Sequence, residues 1–67
     1  DKAMATSVFF RERAAQAQRD ADNATLDNVR DSHIVARDTW IEMAEKAEST
    51  VKGREANEAE KRALAEA

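Results

Sequence analysis

His33 is the only imidazole in the chain, and the 67 residues contain no cysteine. Nucleophilic or general-base chemistry would therefore have to be assembled from one histidine, carboxylates and hydroxyls. His33 falls at helical spacing from Arg37 and Trp40, one and two turns further on. A catalytic base needs a nucleophile within hydrogen-bond reach, and a zinc centre needs further imidazoles or thiolates; the spacing supplies neither. The expected role of His33 is that of a hydrogen-bonded core or interface side chain. If two copies pack through the helix that carries it, its titration would make association pH-sensitive.

Asp38, Glu42 and Glu45 share one helical strip and have the oxygen chemistry to hold a divalent ion. Carboxylate metal sites in helical bundles use Glu-x-x-His motifs, and the residue three before His33 is Arg30, so that arrangement is excluded. With Lys46 beside the strip, the sequence points to a solvated acidic face, and no metal or cofactor is expected. Arg11, Arg13, Arg19, Arg30 and Arg37 invite comparison with ROP, a helical hairpin that dimerises into a four-helix bundle and binds paired RNA loops. The likeness is one of architecture, from which function does not follow. A nucleic-acid-binding hairpin is accordingly the alternative reading, and an enzyme is a remote third.

These residues must be positioned by helices. The chain has no proline, one glycine and 37% charged residues, a composition that favours helix over strand. Leu26, Val29, His33, Ala36, Trp40, Met43, Ala47 and Thr50 follow one another by steps of three and four, which places them on one stripe. A second row, Ile34, Ile41, Ala44 and Val51, runs beside it, so the apolar face is wider than a two-stranded coiled coil requires. Earlier in the chain, Phe10, Ala14, Ala17, Ala21 and Ala24 form a narrow stripe of mostly small residues on which another helix can sit closely, while Arg11, Glu12, Arg13, Gln16, Arg19 and Asp20 read as solvated surface.

Asp1-Lys2-Ala3-Met4-Ala5 resembles the end of an enterokinase site followed by a cloning junction, so residues 1–5 are expected to be an expression scar. Helix 1 is expected near 7–23 with Thr6 or Ser7 as its N-cap, and helix 2 near 26–52 with Thr25 as its N-cap. The turn between them is inferred from weak helix formers at 22–28 and a jump in heptad register from Ala24 to Leu26; the rival is one uninterrupted helix from Ser7 to Val51. A connection this short makes the helices antiparallel neighbours. After Gly53, residues 53–67 keep strong helix propensity but offer little bulk beyond Leu64, and are expected to form an exposed helical extension.

Eleven basic and fourteen acidic residues leave a net charge of −3, with no segment forming a basic arm that would track phosphates. No apolar run reaches the length of a membrane span, and a soluble cytoplasmic protein is expected.

Within the run from Phe9 to Glu48, the pattern Phe9-Phe10, Arg11-Glu12-Arg13-Ala14, Ala21, Ala24-Thr25, His33 and Trp40 resembles that of a group of small alphaproteobacterial helical-hairpin proteins of unknown function. Such turns often carry Pro and Glu after the Thr, where this chain has Leu26-Asp27-Asn28. The resemblance implies a short, self-associating hairpin and supplies no activity.

The sequence thus predicts an all-α fold: an antiparallel two-helix hairpin over 6–52 that dimerises into a ROP-like four-helix bundle. One hairpin cannot enclose both rows of helix 2, so the surplus, especially Ile34, Ile41 and Val51, is expected to meet a second subunit, with another protein as a further partner. His33, Ile34, Trp40, Ile41 and Val51 are the expected interface residues. Protein–protein interaction without catalysis is the expected role.

Overall fold

Two helices, joined by three residues in extended or bent conformation, account for nearly the whole chain in a computed structural model that describes residues 1–67. Helix α1 spans Lys2–Asn23 and α2 spans Asp27–Glu66. At about 1.5 Å per residue, a helix of this second length extends about 60 Å, which matches the 61 Å long axis of the molecule. The radius of gyration is 17.4 Å, against about 11 Å for a globular chain of this size. Neither helix is long and apolar enough to cross a membrane.

Both helices start differently from the expectation. Helix α1 begins at Lys2, because the Asp1 carboxylate caps it by accepting from the Ala3 N–H at 2.8 Å. Thr6 and Ser7, expected as N-caps, are interior: the Thr6 hydroxyl donates back to the Lys2 carbonyl, and the Ser7 hydroxyl donates to Glu48 across the helix pair. Leu26, not Thr25, occupies the N-cap of α2, with extended backbone and no side-chain cap bond. Arg30 secures this turn instead, donating to the Asp27 carboxylate at 3.1 Å and to the Ala24 carbonyl at 3.2 Å. At the other end α2 passes through Gly53 without a break, and residues 52–67 are all exposed.

The antiparallel register is set by side-chain contacts that place Asp1 opposite Arg54, Ser7 opposite Glu48 and Gln18 opposite Arg37. Residues 55–66 therefore project beyond the end of α1 by about 18 Å at the helical rise. On α1 the inward stripe is Ala3, Ser7, Phe10, Ala14, Ala17 and Ala21. On α2 the line facing α1 runs through Ile34, Arg37, Ile41, Ala44, Glu48 and Val51. His33, Ala36, Trp40 and Ala47 of the first row are half-buried as well, so the seam inside the hairpin draws on both rows around Ala44. Small residues decide this: Ala44 is fully enclosed, at 0% exposure, and Ala21 is at 2%, so the backbones approach closely where neither helix presents bulk.

Candidate functional site

Trp40, Ala44 and Glu48 lie four residues apart on α2, and each step turns the side chain about 40° around the helix axis. With Ala44 at the centre of the contact with α1, Trp40 and Glu48 mark opposite flanks of the hairpin. The two flanks differ in chemistry.

On the Glu48 flank polar contacts run beside the half-buried Ile34 and Ile41. Arg11 grips Glu48 through two bonds, Nε to Oε2 at 3.0 Å and Nη2 to Oε1 at 2.8 Å, and the Ser7 hydroxyl donates to the same carboxylate. These donors hold the Glu48 carboxyl well below the usual range, at about 2, the Arg11 bond contributing most and the Ser7 bond next. The same Arg11–Glu48 bond raises the Arg11 guanidinium above its ordinary value. Further along, Arg37 donates to the Gln18 side chain at 2.7 Å and to Asp38 through both Nε and Nη2. A hydroxyl beside a carboxylate is the raw material of a nucleophile–base pair. Here Ser7 is buried, and a carboxylate titrating near 2 is a weak proton acceptor, so the arrangement favours positioning over catalysis.

On the Trp40 flank the contacts are aromatic. Trp40 meets Phe10 with ring centroids 5.8 Å apart and Phe9 edge-on at 6.2 Å, while the Arg13 guanidinium sits 5.4 Å over the indole. The first row of α2 runs along this flank. Its members His33, Ala36, Trp40 and Ala47 are half-buried, while Val29 and Met43 stay open at 39% and 37%. Phe9 is 52% exposed in spite of its contact with Trp40, and Leu26 at the turn is exposed as well. Counting helical positions from 28 to 50, the side of α2 that holds this row also holds Asn28, Ser32, Val35, Thr39 and Thr50, with Lys46 as its only charge. The acids Asp31, Asp38, Glu42 and Glu45 are turned away from it. The strip is apolar at heptad spacing, and the Arg13 guanidinium of α1 adds a second charge to it beside Lys46.

The expected interface residues separate accordingly. Val51 is buried inside the hairpin and His33 shares its line, half-buried; Trp40 lies on one flank, and Ile34 and Ile41 are half-buried on the other, beside Glu48. Phe9 and Met43 belong to the exposed strip, although neither is among the interface residues expected from the sequence. Their signal is present there, since Met43 is on the first row and Phe9 neighbours the inward Phe10. Of the acidic strip, Asp38 pairs with Arg37, and Glu42 pairs with Lys46 at 3.7 Å. No three acidic or imidazole side chains converge as metal ligands, and no pocket opens on the surface. Compared with known protein families, curated proteins and solved structures, the chain matches none.

Proposed function

We propose that this chain is a self-association module, a helical hairpin that pairs with a second copy through its Trp40 flank to form a four-helix bundle and that acts by protein–protein contact. The observation that carries this reading is the apolar row Val29, His33, Ala36, Trp40, Met43 and Ala47 at heptad spacing, of which Val29 and Met43 stay exposed with Phe9 beside them while the others are half-buried.

Surface area supports it. A compact monomer of this mass exposes about 4,200 Å², whereas this chain exposes 5133 Å². The difference, roughly 900 Å², is close to the ~800 Å² that one partner contributes to a standard interface. Part of the excess belongs to the projecting end of α2, whose surface is charged and Ala-rich; the exposed apolar side chains are spread over Met4, Val8, Val35 and Leu64 as well as Phe9, Val29 and Met43. Of the five arginines that suggested the nucleic-acid reading, Arg11, Arg30 and Arg37 are held by carboxylates and Arg13 lies over Trp40, which leaves Arg19, bonded to Gln16, and weighs against that reading.

The test compares two charge insertions. Met43→Glu places a carboxylate in the middle of the strip and is expected to weaken dimerisation about tenfold or more with helicity retained, because an unpaired charge resists burial. Val8→Glu, on the opposite flank one turn from Arg11, is expected to leave it unchanged. Equal dimerisation of both variants would reject the Trp40 flank as the interface.

A further inference from the structure

The break in heptad step at the turn decides more than where the helices end. Ala24, Thr25 and Leu26 form the connection, with Ala24 at φ −72° and ψ 135° and Leu26 at φ −105° and ψ 135°. No residue of the chain has a positive φ, so this turn neither requires glycine nor strains the residues it has. A hairpin with such a turn has an obvious rival, in which the chain opens into one continuous helix and trades α1 with a second copy.

That exchange has a geometric requirement. Each opened chain must present the contact lines of α1 and α2 on one side, because a single partner helix runs along both. On α1 the line is marked by the buried Ala14, Ala17 and Ala21, and on α2 by the buried Ala44 and Val51. From Ala17 to Ala44 a continuous helix makes about 7.5 turns, which sets these two on opposite sides. Averaged over the five residues, the two lines differ by roughly 140° at 3.6 residues per turn. Supercoiling carries the difference past 180° without bringing the lines together. A partner that covers one line therefore faces the back of the other, where Glu12 and Arg19 of α1 or Asp31, Asp38 and Glu42 of α2 stand exposed. An opened chain can bury its two lines only against two different neighbours, one on each side, which gives an open-ended stack and no closed pair.

Arg30 holds the chain in the closed form. In a continuous helix the Ala24 carbonyl would accept from the Asn28 N–H. Here it accepts from Arg30 Nη2 at 3.2 Å, while Arg30 Nη1 donates to Asp27 at 3.1 Å. Leu26 offers no side-chain cap of its own, so Arg30 is the side chain that satisfies the turn.

We infer that the phase break at residues 24–26 is a safeguard against exchange: it sets the two contact lines on opposite sides of any continuous helix, so the chain stays a closed hairpin and does not trade α1 with a second copy. The inference concerns the hairpin itself and holds for a monomer as for a bundle of closed hairpins.

The absence of cysteine makes the test direct. Gln18→Cys and Arg37→Cys are introduced together, at positions whose side chains meet across the hairpin, and a short bismaleimide joins the thiols. In a closed hairpin the link forms within one chain, favoured about a hundredfold over links between chains at ~10 μM by a millimolar effective concentration. Three chains with this pair are compared on denaturing gels. The first keeps its natural turn and should migrate at chain mass at every concentration. The other two carry a helix-forming turn, Asn23→Ala, Thr25→Ala and Arg30→Ala, with two or four alanines inserted before Leu26. Two residues add about 200° and bring the lines to within about 20–30° of one side, whereas four add about 400° and return them to opposite sides. The expected result is a linked dimer as the main product of the two-alanine chain, and at least about tenfold less dimer from the four-alanine chain. Equal dimer from both insertions, or dimer from the chain with its natural turn, would overturn the inference. So would a two-alanine chain that links only within itself, since helical phase would then not be what keeps the hairpin closed.

Discussion

Phe9 and Trp40 meet edge-on, ring centroids 6.2 Å apart and planes at 89°, and half of Phe9 is still open to solvent. The contact ties α1 to α2 on one flank and leaves an unfinished aromatic surface there. Trp40 therefore braces the hairpin on this flank. Trp40→Ala removes its packing against Phe9, Phe10 and the Arg13 guanidinium. Full truncation of a buried Trp costs about 3–5 kcal/mol, and a half-buried one should cost about 2–3 kcal/mol. Urea denaturation followed by circular dichroism checks this; an unchanged midpoint would make Trp40 irrelevant to the hairpin.

The centre of the helix pair is set by methyl-sized side chains. Ala44 at 0% exposure has no room for a larger side chain, so Ala44→Leu must push the helices apart or twist the rotamer. The expected cost is about 1–3 kcal/mol, although leucine is more apolar and nearly as good a helix former. A stabilised Ala44→Leu variant in thermal melts would show that the close approach is not required.

Gly53 gives the opposite expectation. It lies inside α2, and a Cβ added there meets nothing within 4 Å. Gly53→Ala should stabilise the helix by about 0.5–1 kcal/mol through reduced backbone entropy of the unfolded chain. For a domain of this size that raises the melting temperature by a few degrees, about 4–8 °C per kcal/mol. A lowered melting temperature would indicate that the projecting end bends at Gly53 in solution.

Glu48 makes the hairpin acid-sensitive. Its carboxyl titrates at about 2 when folded, below the ordinary 4.5, because Arg11 and Ser7 favour the ionised form. A depressed folded pKa contributes stability that is fully present above the unfolded value and is lost as pH falls through the folded one. The melting temperature should decline between pH 4.5 and about 2. Glu48→Gln should melt lower at neutral pH and show a shallower decline across the same window. An identical pH profile in the variant would mean that the Arg11 contact is not maintained in solution.

Much of the hairpin is legible in the sequence. The step-of-four-and-three placement of Phe10, Ala14, Ala17 and Ala21, and the weak helix formers before Leu26, are local patterns that the fold obeys. The pairing face of α2 is harder to read, because two apolar rows offset by one position satisfy the same periodicity. What separates them is distance: Ala44 lets α1 come close and Trp40 does not, and that is a property of two helices together. The Arg11–Glu48–Ser7 contact is hidden for a similar reason. All three residue types are ordinary on a solvated face, and only the antiparallel register, with partners 37 and 41 positions apart, brings them together. The start of α1 escapes the sequence because Asp1 falls in a segment that reads as an expression scar, which hides its value as a cap.

The most direct test of the account is the solution mass of the full chain by sedimentation equilibrium, over a concentration series at low and moderate salt. Self-association through an apolar strip predicts twice the 7.5 kDa chain mass at micromolar concentration, with little dependence on salt. A mass of 7.5 kDa that persists to the highest concentration would contradict it.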